Sequence, residues 1–253
     1  MGLVGWQSFF VRSAIAVLQS LDYALTALPT LLQGALITLQ LTAVSVAFGL
    51  VGGVLLGIAR LSPLLPLRIM TRIYIDFFRG TPLLVQIFMI YFGLPAFVSS
   101  LGLSFSFNRF VAAILALSLN SAAYLAEIVR AGIQSIDLGQ REAAESLGLG
   151  PIQSMRYIIF PQAFRRMIPP LGNEFITLLK DTSLVAVIGY EELFRRGQLI
   201  VASNYRSFEI YITVALVYLL LNTLSSQAFI WLERWMDPTQ KAKRRPTPAV
   251  ADS

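Results

Sequence analysis

Three groups of polar residues interrupt otherwise apolar stretches of this chain, and any chemistry it performs has to involve them. Residues 167–190 carry Glu174, Lys180 and Asp181 among Phe175, Ile176, Leu178, Leu179 and Leu184. At helical spacing Glu174, Leu178 and Asp181 share one face, while Asn173, Thr177 and Lys180 share the adjacent one, a polar sector about 100° wide. Such a sector offers an anion and a cation together, which complements a ligand that carries both charges itself. A charge held in a bilayer costs at least about 2.5–3.5 kcal/mol on insertion scales, so a span that keeps several is expected to use them. An internal Glu–Lys bridge is the alternative use. Asp181-Thr182-Ser183 reads as a cap where the helix breaks and restarts.

The second group is Asn120, Tyr124 and Glu127, at i, i+4 and i+7 along one helical face. Inside a membrane such a stripe must face protein or water. Asn120 can serve a ligand or join two helices, and Glu127 is placed to pair with Arg130. The third group is Asp76 and Arg79, spaced for an i, i+3 ion pair, followed by Gly80-Thr81-Pro82. That tripeptide predicts a helix stop and restart, with Thr81 as N-cap and Pro82 at the first helical position. Glu174, Lys180, Asn120, Leu178 and Asp76 are therefore the candidate ligand-site residues.

The composition removes whole classes of activity. The chain has no cysteine and no histidine, which excludes disulfides, thiolate nucleophiles, Cys/His metal sites and histidine-based triads. Its only lysines are Lys180, Lys241 and Lys243, and no Gly-x-x-x-x-Gly-Lys-Ser/Thr run occurs, so it has no P-loop for ATP. A membrane enzyme would need a carboxylate dyad, and Asp76, Glu127 and Glu174 stand in separate spans without metal-ligand spacing.

The elements that carry these residues follow from hydropathy. Of 253 residues 56% are hydrophobic and only 13% charged, where a soluble domain is nearer a quarter charged. A spanning helix needs roughly 20 mostly apolar residues. Residues 31–59, 82–98 (extended backwards by the more polar 67–79), 110–126 and 210–232 meet that demand, and 167–190 counts as a fifth span with functional charges. The expected organisation is an all-α membrane protein of about five transmembrane helices over residues 30–235. An N-terminal segment, 1–29, precedes it; Trp6, Phe9, Phe10 and Val17 mark a candidate interfacial helix there, and no cleavable signal peptide is read. A disordered tail, 236–253, follows.

The net charge of +6 is arranged as a topology signal and not as a nucleic-acid surface. Thirteen Lys and Arg fall on one side of the spans, five on the other, and Arg79 and Lys180 within them. The positive-inside rule then puts the N-terminus outside and the C-terminus in the cytoplasm. The largest cytoplasmic segment is residues 134–161. It reads as helix, break, helix: 140–147 is amphipathic, Gly148-Leu149-Gly150-Pro151 interrupts, and 152–159 resumes.

Within that segment the run Glu142-Ala143-Ala144-Glu145-Ser146-Leu147-Gly148, continued by Phe160-Pro161-Gln162-Ala163, resembles the Glu-Ala-Ala loop of ABC importer permeases. Phe160 stands where that family usually has leucine. Residues 77–86, with Arg79-Gly80-Thr81-Pro82, are similar to the polar amino acid branch of those permeases, as are 120–130 and Pro169-Pro170-Leu171 through Lys180-Asp181-Thr182-Ser183-Leu184. The resemblance runs from about residue 30 to 232. It implies a type I importer permease fold in a bacterial inner membrane and a transport subunit that is not an enzyme. It also implies several partners: an ATP-binding subunit that holds ATP and magnesium, an extracytoplasmic solute-binding protein, and a second permease copy or homologue. The substrate would be a polar amino acid, basic ones included, moved by alternating access. Glu142, Ala143, Ala144 and Gly148 would dock on the ATPase, small residues letting the helix lie deep in a groove and Gly148 allowing the chain to reverse. The alternative is an ion-coupled carrier or channel, which has no use for such an elbow.

Because the chain lacks cysteine, single cysteines report the topology directly. Ser146→Cys is expected to react with an impermeant thiol reagent only from the cytoplasm and Ser203→Cys only from outside. Labelling of Ser146→Cys in intact cells would overturn the orientation.

Overall fold

The computed structural model describes the backbone from Leu3 to Met236 and side chains from Ser20 onward. Apart from Met236, the expected tail 236–253 lies outside the described residues. Every regular element among them is helical: α1 (Leu3–Arg60), α2 (Leu65–Gly80), α3 (Leu83–Phe88), α4 (Leu94–Ser100), α5 (Arg109–Gln134), α6 (Leu138–Ser146), α7 (Pro151–Ser154), α8 (Phe160–Asp181), α9 (Leu193–Asn204) and α10 (Ser207–Met236).

Among the described residues four stretches are long and apolar enough to cross a membrane: Ser20–Arg60, Leu83–Ser100, Arg109–Gln134 and Ser207–Met236. The segment 1–29 is not a separate helix, because α1 continues through Pro29. A proline inside a helix removes one backbone bond, a loss that membrane helices tolerate when neighbours hold the chain. Two π turns, Met89–Gly93 and Met155–Ile159, each end two residues before a proline, Pro95 and Pro161. Those prolines have no N–H to return to the carbonyl four residues back, and the wider π register absorbs the misfit.

Two expected caps are replaced. The helix restarts at Leu83 with Pro82 as its N-cap residue, and Thr81 does not cap. Gln86 Nε2 instead donates to the Thr81 carbonyl at 3.0 Å and hydroxyl at 2.9 Å. This leaves α2 as a separate amphipathic helix and not an extension of the next span. At the end of α8 Asp181 makes no capping bond. The hydroxyls of Thr182 and Ser183 donate back to the carbonyls of Leu179 and Lys180, each at 2.7 Å. A 3₁₀ turn, Thr182–Ile188, replaces the rest of the expected span 167–190 and closes on Gly189 at φ +74°.

The chain packs as two compact units. One comprises residues 48–80, 119–176 and, of those described, 223–236. Here Gly49, Gly53 and Gly57 of α1 lie against Ser121, Leu125 and Val129 of α5, both series stepping by four. A Cβ at Gly53 would stand 2.5 Å from that of Leu125, so only glycine permits this backbone approach. Small residues at such a spacing let membrane helices gain van der Waals contact where no hydrophobic drive exists between them. Val129, Ile133, Ile159, Ala163 and Met167 form a second packed cluster between α5 and the start of α8.

The other unit comprises residues 1–47, 81–118 and 177–222. Its core gathers Leu41, Ile87, Ala113, Leu117, Leu178 and Val185. Beside it sits a fully buried carboxylate, Glu192, the N-cap residue of α9. It accepts from the N–H of Arg195 at 2.7 Å and of Phe194 at 2.9 Å. Tyr218 of α10 donates to it at 2.7 Å and Thr38 of α1 at 3.4 Å. Thr38 in turn accepts from the N–H of Leu193 at 3.2 Å. Burial pushes this carboxyl above the usual carboxylate range, and the hydrogen bonds pull it back.

All four groups around Glu192 donate, so an amide in its place would set its own N–H against one of them. We expect Glu192→Gln to cost about 1–3 kcal/mol and Tyr218→Phe about 1 kcal/mol, read as lowered thermal midpoints of the purified protein in detergent. An unchanged midpoint for Glu192→Gln would refute the role given to this network.

Candidate functional site

The elbow is built as the sequence requires. Asp137 opens α6, its carboxylate accepting from the Gly139 N–H at 2.7 Å. After Ser146 the chain reverses at Gly148, whose φ is +77°. The Gly148 N–H donates to Glu145 at 2.9 Å and the Leu149 N–H to Ala144 at 3.1 Å, which satisfies the last carbonyls of α6. Gly150 precedes Pro151, which starts the next helix, and the Gly150 N–H donates to Gln153 Oε1 at 3.1 Å. Gln162 of α8 holds the elbow by donating to Gln140 Oε1 at 3.0 Å.

The expected docking residues divide. Glu142, Ala143 and Gly148 are exposed, whereas Ala144 is buried in its own unit and cannot enter a partner's groove in this arrangement. The apolar projections of the elbow are instead Leu147 and Ile152, 80% and 84% exposed. Sequence reasoning passed over both; two large apolar residues flanking a glycine turn between short polar helices were the available signal.

The polar sector of α8 forms as spaced, since the helix stays regular to Asp181. Asn173, Thr177 and Lys180 are exposed, Glu174 and Asp181 half-buried. Leu178 is fully buried in the core. Lys180 borders an open cavity of about 770 Å³ together with Ser183, Phe194, Tyr218, Leu219 and Asn222. The Asn222 Oδ1 atom is buried without a hydrogen-bond partner, so that wall of the cavity keeps an acceptor in reserve. The volume is within the roughly 300–1,000 Å³ of small-ligand pockets.

The α5 stripe serves partly as helix glue. Asn120 is buried and donates to the Phe78 carbonyl at 3.4 Å. Tyr74 of α2 donates to the Leu119 carbonyl at 2.7 Å. Glu127 takes Arg130 at 2.8 Å, as its spacing predicts, and has Arg60 at 3.9 Å. Asp76 pairs with Arg72 at 3.3 Å, not with Arg79, on a solvent-facing side of α2. It lines neither this cavity nor the one bordered by Arg79. Arg79 instead lies over the Tyr124 ring, 5.3 Å from its centre. Glu192, the most buried carboxylate, was not singled out from sequence: only its place after the Gly189 turn hinted at an N-cap.

Comparison with known proteins supplies the rest. Residues 49–238 match the family described as binding-protein-dependent transport system inner membrane component. The glutamine transport system permease protein GlnP of Escherichia coli (strain K12) is 43% identical over 210 residues, covering 83% of this chain and 94% of that one. The arginine transport system permease protein ArtQ of Bacillus subtilis (strain 168) is 41% identical over 204 residues, covering 80% and 91%. Among solved structures, the crystal structure of an amino acid ABC transporter with histidines superposes with a TM-score of 0.77 at 40% identity, covering 83% of this chain and 95% of that one. These matches take in both the elbow and the charged α8, so the chain belongs to the family of inner membrane components of binding-protein-dependent transport systems, as a multi-pass membrane protein of type I ABC importer architecture.

Proposed function

We propose that the chain forms the translocation pathway of an ATP-driven importer for polar amino acids, with Glu174 and Lys180 of α8 meeting the charged ends of the substrate. The observation that carries this reading is the elbow, a left-handed Gly148 turn that presents Leu147 and Ile152 beside the exposed Glu142 and Ala143. An apolar pair held out on a polar turn fits a groove on a second protein, and family membership supports an ATP-binding subunit as that partner. ATP and magnesium belong to that subunit. A solute-binding protein delivers substrate from outside, and a second permease, identical or homologous, completes the pathway. The C-terminus lies in the cytoplasm, in keeping with the charge count.

Relatives named for glutamine and for arginine bracket the substrate class. Every amino acid presents the same ammonium and carboxylate, which suit the paired charges of α8, and Glu174 adds a preference for a basic side chain. Closure of the ATPases on ATP would pull the two elbows together and turn the paired permeases from inward- to outward-facing, which is alternating access around the α8 site.

Two measurements test this. Gly148→Val forces a β-branched residue into a left-handed turn, a cost of about 1–2 kcal/mol or more. It is expected to cut substrate-stimulated ATP hydrolysis by the assembled complex roughly tenfold while membrane insertion persists. Stimulation and co-purification at wild-type levels would remove the docking role. Glu174→Gln and Lys180→Met, shown to assemble normally, should each raise the apparent uptake constant roughly tenfold, the worth of one charge-assisted hydrogen bond. Uptake with unchanged affinity and specificity would sink the α8 site and leave the family assignment standing.

A further inference from the structure

A second cavity, of about 430 Å³, opens in the unit that carries the elbow, and the transport reading gives it no task. Arg79 of α2, Tyr124 and Glu127 of α5, Ser135 just after that helix, and Arg166 and Pro170 of α8 line it. Its two arginines form no ion pair among the described residues. Arg79 lies over the Tyr124 ring, its Cζ 5.3 Å from the ring centre, a contact that cannot occupy all the N–H donors of a guanidinium. Arg166 donates from Nη1 to the Ser135 carbonyl and hydroxyl, which leaves its other nitrogen donors. Across from them Glu127 holds Arg130 through Oε1. Its Oε2 is buried and has no hydrogen-bond donor among the described residues, with the Arg60 Nε 3.9 Å away.

The cavity thus offers forked cationic donors, an aromatic wall and, at its border, the Glu127 carboxylate. Two like charges lining one concavity repel each other, and a ligand carboxylate set between them removes that repulsion. A lipid phosphate or inorganic phosphate would also meet the arginines, but Glu127 would repel it. A zwitterion satisfies both ends. We propose that this cavity is a second amino acid binding site, taking the α-carboxylate between Arg79 and Arg166 and the ammonium at Glu127. The ligand class rests on the amino acid reading above; the residues do not include Glu174 or Lys180.

Ala131 lines the same cavity, and the chain has no cysteine, so Ala131→Cys places one reporter there. The rate of its modification by a methanethiosulfonate would be followed in phosphatidylcholine nanodiscs, where both faces are open to reagent. Millimolar L-glutamine or L-arginine is expected to slow the reaction roughly threefold or more, the effect of a ligand at about twice its dissociation constant. The corresponding α-amides, which lack the carboxylate, should not. Adding Arg79→Gln or, independently, Arg166→Gln should abolish protection, whereas Glu174→Gln and Lys180→Met should leave it intact. Persisting protection alongside normal uptake by the α8 variants would retire the α8 site and keep this one. The proposal fails if neither amino acid protects, if the α-amides or inorganic phosphate protect equally, or if Glu174→Gln also removes protection. Slowing that requires phosphatidylglycerol in the nanodisc would assign the arginines to lipid and overturn it as well.

Discussion

A carboxylate that is fully buried must find all its hydrogen bonds inside the protein, and Glu192 finds them on three separate stretches of chain. Its own helix supplies two N–H groups, α10 supplies Tyr218 and α1 supplies Thr38, which also receives the Leu193 N–H. Removing one of these partners leaves a buried polar group exposed to no solvent, at a cost larger than the bond itself contributes. That asymmetry makes the network a positional constraint: α1, α9 and α10 can shift within this unit only by breaking several charge-assisted bonds together. Gly34, where an added Cβ would stand 2.8 Å from the Leu193 Cα, keeps the α1 backbone close enough for Thr38 to reach.

The unit that carries the elbow solves the same packing problem with no fully buried carboxylate among its described residues. Its α1 and α5 segments touch along Gly49, Gly53 and Gly57, so contact is backbone to side-chain stem and tolerates little change in size. The Tyr74 and Asn120 bonds then dock α2 on α5 through carbonyl acceptors. Side chains left over from this packing, Arg79, Tyr124 and Glu127, are the ones that border a cavity. Along a single stripe of α5, Asn120 holds a neighbouring helix while Tyr124 and Glu127 border a cavity, a division that spacing alone does not reveal.

The end of α8 shows how a local break is closed. A helix that ended in an aspartate cap would commit the Asp181 carboxylate to backbone N–H groups. The hydroxyls of Thr182 and Ser183 instead close the helix from its C-terminal side, taking the orphan carbonyls of Leu179 and Lys180. The Asp181 carboxylate is thereby spared from capping, and Lys180 lies at the edge of an open cavity.

Much of this was legible in the residues themselves. Hydropathy located four spans because a bilayer demands about 20 apolar residues whatever the fold, and the Gly148 turn was legible because few residues adopt positive φ without strain. The α8 sector followed from helical periodicity, and the Glu127–Arg130 pair from i, i+3 geometry. Contacts distant in sequence were not legible, since nothing local distinguishes a carboxylate bound for a buried network from one bound for solvent. Glu192 is bonded to Thr38, 154 positions away. Asp76 chose Arg72 because α2 turns that face outward, which left Arg79 to Tyr124. Ala144 is buried because α6 folds back on its own unit, and Thr81 lost its cap to Gln86. Periodicity and composition determine which residues share a face; only tertiary packing decides what that face meets, because burial and partner distance are properties of the folded chain and not of any window within it.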